Sequence, residues 1–256
     1  MRICRAQVAD GIVYGVLEGD KLLCLKGSPF DGIRYDGREY PLADVRLLAP
    51  TEPSKVVASG KNYAAHAAEM GGEAPAAPLI FMKPSTAVIG PEDVIEYPTL
   101  SKRVDYEGEL AVVIGKRCRN VTEENWRDVV LGFTCLNDVT ARDLQKSDGQ
   151  WTRGKGFDTF CPIGPWIETE FDPFHANVMS RLNGEEKQNS NTELLIHPIP
   201  KLIAYITAAM TLLPGDVIAT GTPEGIGPMK VGDTVEVEVK GIGILRNHVK
   251  EASFHE

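Results

Sequence analysis

The sequence offers no stretch able to span a bilayer: its longest largely apolar run, Leu202 to Leu213, falls far short of the roughly 20 residues that a spanning helix needs. No membrane partner is expected. Behind the early arginines of MRICRAQVADG there is no apolar run, so an export signal is not expected either and a cytoplasmic protein is. Cysteine is scarce and odd in number, five residues (Cys4, Cys24, Cys118, Cys135, Cys161) without C-x-x-C spacing. That argues against a disulfide framework or a thiolate zinc site, and leaves the thiols as small buried hydrophobes. Positive charge is in deficit, 27 Lys and Arg against 36 Asp and Glu for a net charge of −9, which excludes a broad footprint for nucleic acid. The motifs G-x-S-x-G, H-E-x-x-H and G-x-G-x-x-G are missing, as is any repeat of solenoid or propeller period.

What is present is a globular chain of 256 residues, 43% hydrophobic, with 25 glycines and 17 prolines scattered along it. Such a chain buries a sizeable core and turns often. The runs RICRAQV, IVYGVLE and KLLCLKG are separated by Ala9-Asp10-Gly11 and Glu18-Gly19-Asp20, the pattern of a small meander of hairpins. The Pro-containing segment LLAPTEPSK (47–55) then predicts a boundary, with a small N-terminal β domain over 1–52 and a larger body over 53–256. In the body, KVVASG predicts a strand ending at Gly60, and Asn62 is placed to cap an Ala-rich helix that stops at Gly71-Gly72. Further strands are expected in 78–84, 104–115, 132–139, VMSRLNGE, DVIATGTP and DTVEVEVKGIG, with helices starting near 140 and spanning 200–216. The order lacks the strand–helix alternation of a doubly wound or barrel fold, so the fold class is α+β and strand-rich.

The most informative segment is Val104-Asp-Tyr-Glu-Gly-Glu-Leu-Ala-Val-Val-Ile-Gly115. On a strand Glu107 and Glu109 point the same way, with Asp105 in line behind them. An E-x-E is usually a solvated face, but here it runs into Leu110–Ile114, apolar on both faces, and carboxylates at the mouth of a buried strand need neutralising. Asp138 ends a second apolar run, either as a third member of the set or as an N-cap of the following helix. Glu107, Glu109 and Asp138 make a hard, oxygen-only set suited to Mg²⁺ or Mn²⁺. Arg142 and Gln145, three apart on the helix expected from 140, offer a cation and an amide to a substrate carboxylate, or alternatively a surface ion pair. His66 and Glu69, also three apart, form either a surface contact or a general-base pair. Lys155 lies between glycines and is either brought close to a ligand by them or one more surface lysine, and the loop Thr220-Gly-Thr-Pro-Glu-Gly-Ile-Gly227 offers backbone N–H groups to an anion. His175, His197, His248 and His255 are isolated and read as structural or surface residues.

As a set, Gly60-Lys-Asn-Tyr-x-x-His66-x-x-Glu69, Phe81-Met-Lys83-Pro84, Asp105-Tyr-Glu107-Gly-Glu109-Leu, Asn137-Asp138-Val-Thr-Ala-Arg142-Asp-Leu-Gln145, Lys155-Gly-Phe and Gly221-Thr-Pro-x-Gly-Ile-Gly227 resemble the fumarylacetoacetate hydrolase superfamily over about residues 55 to 250. The first 50 residues resemble a small N-terminal domain found in some bacterial members. The resemblance implies a mixed β-roll, usually a homodimer, with a divalent metal on Glu107, Glu109 and Asp138. It also implies a His66–Glu69 base on a lid helix, a catalytic Lys155, and substrate contacts at Arg142, Gln145 and Thr222. The expected substrate is a small anionic 2-oxo acid, whose carboxylate and C2 oxygen chelate the metal. Hydrolysis of a C–C bond or decarboxylation comes first among the reactions implied, and enol–keto isomerisation second. A catalytically silent ligand-binding module is the non-enzymatic alternative.

Overall fold

The computed structural model describes residues 1–252; His255 lies outside them. The strand-rich expectation is met by three sheets. The largest runs from the N-terminal meander, Tyr35–Pro41, Lys21–Leu25, Gly11–Glu18 and Arg2–Val8, through Cys161–Glu168, Val130–Asn137, Gly108–Ile114, Val217–Ala219 and Val56–Gly60, to an edge at Leu79–Lys83. The meander is thus hydrogen-bonded into the sheet of the body, with Arg2 opposite Glu168 and Ile3 opposite Ile167. A three-stranded sheet joins Val104–Tyr106 to Thr140–Ala141 and Gly227–Met229, and a five-stranded sheet contains Asn177–Leu182, Thr234–Val239 and Gly243–Glu251.

The central strand Gly108–Ile114 shows why its sequence is apolar on both faces. Leu110, Val112 and Ile114 pack into one cluster with the helix Ile199–Ala209, while Ala111 and Val113 pack into a second cluster with Val56, Ala58 and Ile163. A strand covered on both sides has no position for an exposed polar residue. Its neighbour Val130–Asn137 runs antiparallel to it with Gly108 opposite Asn137, so the ends that carry Glu107 and Asp138 emerge together.

Three local expectations need correction. Asn62 does not cap the Ala-rich helix, which spans Ala64–Glu69 behind Tyr63 without a side-chain cap; its amide instead donates to the carbonyls of His197 and Thr220 and accepts from His197 N. Those carbonyls lie far along the chain and no local pattern shows them. The helix expected from 140 begins at Arg142, because Thr140–Ala141 pairs as a strand with Val104 and Asp105. The helix expected over 200–216 stops at Ala209, since the chain turns there so that Leu212 pairs with Cys118 and Leu213 N–H donates to Asp216.

That turn also holds the Pro-rich segment leading into the body. Buried Asp216 accepts hydrogen bonds from Ser54 N and Oγ, from Lys55 N and Nζ, and from Leu213 N. Asp216→Ala leaves three backbone donors without their acceptor and is expected to cost about 3 kcal/mol of unfolding free energy. Urea denaturation measures it; an unchanged midpoint would contradict the anchoring role.

Candidate active site

The residues singled out for chemistry in the sequence face one pocket or lie directly behind it: His66, Glu107, Glu109, Asp138, Arg142, Gln145, Lys155 and Thr222 line it, with Glu69 behind His66. The E-x-E carboxylates are not a solvated face. Glu107 is 3% and Glu109 1% exposed, and carboxylate oxygens of Glu107, Glu109 and Asp138 lie within 4.8 Å of one another. Glu107 sits at the break between Val104–Tyr106 and Gly108–Ile114, where the chain passes from one sheet to another. Its N–H donates to Asn137 Oδ1, and Asp138 N–H donates to its carbonyl, which fixes the two acids side by side. Asp138 is therefore no helix cap.

Cations bind this cluster from three directions. Lys155 Nζ bridges Glu107 Oε2 at 2.7 Å and Asp138 Oδ2 at 2.5 Å. Arg142 pairs with Glu107 and, at 2.9 Å, with Asp105, and donates to Gln145 Oε1 at 2.7 Å. It is not a surface ion pair. Lys83, to which no role was given from sequence, is fully buried and donates to Asp138 Oδ1 at 2.6 Å. Its only sequence signal was its place in Phe81-Met-Lys83-Pro84, and a lysine in a strand carries no mark of what it neutralises. Asp105, also fully buried, was placed in line with the glutamates but acts through Arg142. Gln188 was missed too: it holds Thr222 Oγ1 and receives the N–H of Gly108.

The electrostatic outcome is uneven. Burial alone would raise the Glu107 carboxyl, but Lys155 and Arg142 outweigh it and hold the group well below the usual carboxylate range. Glu109 goes the other way, pushed well above that range by burial and by the charges of Asp138 and Glu107, against the opposing Gly221 N–H and Lys155. The glycine loop serves the protein's own carboxylates: Gly221 N–H donates to Glu109 Oε2 at 2.7 Å and Gly225 N–H to Glu69 Oε1 at 3.1 Å. Glu69 Oε2 in turn lies 3.2 Å from His66 Nδ1. The cysteines are free and buried, and burial pushes the thiols of Cys135 and Cys161 up to about 12, so neither is a nucleophile.

The fumarylacetoacetate (FAA) hydrolase C-terminal family matches residues 55–250, and an Rv2993c-like N-terminal family matches residues 1–50. The chain belongs to the fumarylacetoacetate hydrolase family. Members with solved structures include a 5-carboxymethyl-2-hydroxymuconate delta-isomerase from Mycobacterium smegmatis, 49% identical, covering 98% of this chain and 100% of that one with a TM-score of 0.94. A maleylpyruvate hydrolase from Sphingobium sp. SYK-6, in complex with manganese(II) and pyruvate, is 33% identical over 99% of this chain and 100% of that one, with a TM-score of 0.82. A mitochondrial oxaloacetate tautomerase from Rattus norvegicus is 42% identical over 82% of this chain and 71% of its own length. As a member of the fumarylacetoacetate hydrolase family the chain is an enzyme. Among the described residues no helix is long and apolar enough to cross a membrane.

The donor set fits a divalent cation. Lys83, Arg142 and Lys155 pair with Glu107 and Asp138, and Arg103 and Arg142 pair with Asp105, whereas Glu109 is, among the described residues, the one of these four buried carboxylates with no ion-pair partner. All three converging ligands are oxygens, which a hard cation prefers. Glu109→Gln is expected to stabilise the metal-free protein at neutral pH by about 1–3 kcal/mol, because burial beside Asp138 and Glu107 disfavours a carboxylate that the unfolded chain ionises freely. It should also reduce the thermal stabilisation by Mg²⁺ or Mn²⁺, which for an intact site is about 2.7 kcal/mol at 100 times the dissociation constant. Melting temperatures with and without metal test both signs; an equal metal shift in variant and parent would exclude Glu109 as a ligand.

Proposed function

We propose that this enzyme acts on small anionic 2-oxo acids with Mg²⁺ or Mn²⁺ held by Glu107, Glu109 and Asp138, and that it breaks a C–C bond by hydrolysis or decarboxylation. The reading rests on a buried, oxygen-only carboxylate cluster in which Glu109 has no ion-pair partner among the described residues, and which shares a pocket with a histidine–carboxylate pair. A bound dication supplies Lewis-acid polarisation of the substrate's carboxylate and 2-oxo oxygens and offsets the charge that develops as the bond breaks.

The chain's own groups divide the rest. Lys155 and Arg142 are held by ion pairs, so their charges are in place before the reaction and cost little reorganisation as negative charge grows. Gln145 accepts from Arg142 through Oε1 and so presents its amide NH₂ as a donor. Thr222 donates to Gly108 O and accepts from Gln188, which leaves one lone pair to receive a hydroxyl of the substrate. With Nδ1 of His66 facing Glu69, Nε2 is the nitrogen free to take a proton from water. We assign catalysis to residues 53–256 and treat 1–52 as an appended β unit. A cytoplasmic homodimer is the assembly we favour, supported by Leu79 and Met82, which are exposed on the sheet's edge strand.

A second reading, enol–keto isomerisation, is favoured by the isomerase and tautomerase named among the relatives. There the same His66–Glu69 pair moves a proton between carbon and oxygen without water.

The test is a metal-supplemented panel of acylpyruvates, oxaloacetate and unsaturated dicarboxylic 2-oxo acids, following enol absorbance and product identity. His66→Gln is expected to lower hydrolysis by about 10²- to 10⁴-fold while leaving most of the metal-dependent decarboxylation. Equal loss of both would contradict this division of labour, and enol–keto interconversion without any cleavage product would favour the second reading.

A further inference from the structure

The pocket is lined by one cation that the buried cluster does not use. Lys61 faces it half-buried, and among the described residues it makes no ion pair and no side-chain hydrogen bond, unlike Arg142 and Lys155. Its backbone has φ of 55°, a left-handed conformation that glycine or asparagine takes at lower cost. A lysine there adds nothing to the turn and contributes only its side chain; strain of this kind at a pocket points to a use for the residue. Space for the ammonium is left by Gly72, since a Cβ at that position would stand 2.9 Å from Lys61 Nζ. The charge therefore lies beside the turn that ends the His66–Glu69 helix.

Two neighbours complete this wall. Ser59 also lines the pocket, is 2% exposed, and its hydroxyl has no hydrogen-bond partner. Gly60 lets the Trp151 ring approach, for a Cβ there would come within 2.4 Å of it. A free ammonium and an unpartnered hydroxyl, separated in sequence by one residue against an aromatic face, make an anion-recognising surface distinct from the carboxylate cluster.

Resting on the 2-oxo acid reading above, we infer that Lys61 is a specificity-determining residue that selects substrates carrying a second carboxylate, away from the chelating end, with Ser59 Oγ as an accompanying donor. The substrate class is then a dicarboxylic 2-oxo acid. Lys61 touches the remote group and takes no part in bond breaking.

Kinetics of Lys61→Met on oxaloacetate and on acetylpyruvate, which lacks the second carboxylate, test this. The expected result is about a tenfold rise in KM for oxaloacetate, as for loss of one charge-assisted hydrogen bond, with kcat little changed, no change for acetylpyruvate, and recovery in Lys61→Arg. Gly72→Ala, which displaces the ammonium and keeps its charge, should move KM in the same direction. Equal effects on both substrates, or none on either, would overturn the assignment. Calorimetric binding with Mn²⁺ separates this inference from the reading beneath it, because oxalate carries the chelating end alone and oxaloacetate carries both ends. Oxalate binding with an oxaloacetate affinity that Lys61→Met leaves unchanged overturns the role of Lys61 and spares the site. Binding of neither ligand overturns the site reading, and this inference with it.

Discussion

The Lys155 ammonium between Glu107 and Asp138 is the interaction on which the rest of the site depends. Two carboxylates brought out of water side by side are prohibitive on their own, and burial of the lysine is equally costly without them. Together they form a unit whose geometry must be held by other parts of the chain. Lys155 arrives on the short helix Thr152–Lys155, Glu107 at a break between two sheets, and Asp138 just after the end of a central strand. A fold that places these three segments within hydrogen-bond distance has most of its freedom already removed. Lys83 and Arg142 then complete the neutralisation from the edge strand and from the helix that follows Asp138.

The glycine loop has a related task. Its amides could in principle receive an external anion, but two of them are occupied by Glu109 and Glu69. The second of these matters for the helix that carries His66. The helix Ala64–Glu69 has six residues and no side-chain N-cap, and a helix so short is marginal without tertiary contacts. Buried Ala67 and His66, the bridge from Tyr63 to Leu195 and the tie from Glu69 to Gly225 hold it over the pocket. Glu69 thus orients the imidazole and fastens the helix with the same carboxylate, one oxygen for each.

The strands and the candidate site were legible in the sequence where local pattern and chemistry coincide. The two-sided apolar run after Glu109 signals a covered strand, and acids at its mouth signal compensation, which is why Glu107, Glu109 and Asp138 could be grouped before any contact was known. The compensating groups were less legible. Lys83 and Gln188 act across 55 and 34 residues of sequence, and nothing in their own neighbourhoods distinguishes them from surface residues. Asn62 sits where a cap belongs by local rule, yet its amide joins two distant carbonyls. The helix expected over 200–216 gives way after Ala209 to the backbone pairing of Leu212 with distant Cys118. Each of these misses is a long-range polar contact overriding a local preference.

The same division bears on how the pocket can be specific. Residues committed to the ion-pair cluster have little freedom to vary, since removing any one leaves a buried charge uncompensated. Glu107, Asp138, Arg142 and Lys155 therefore define what chemistry the site supports and say little about which substrate of the proposed class it would accept. Discrimination has to fall to lining residues outside the cluster, where a substitution changes a contact to substrate without disturbing the fold. Ser59, Lys61, Met70 and Trp151 are such residues, and among them only Lys61 carries charge. Lys61 is half-buried and makes no ion pair among the described residues, so its charge is left available to an opposite charge brought in by the substrate.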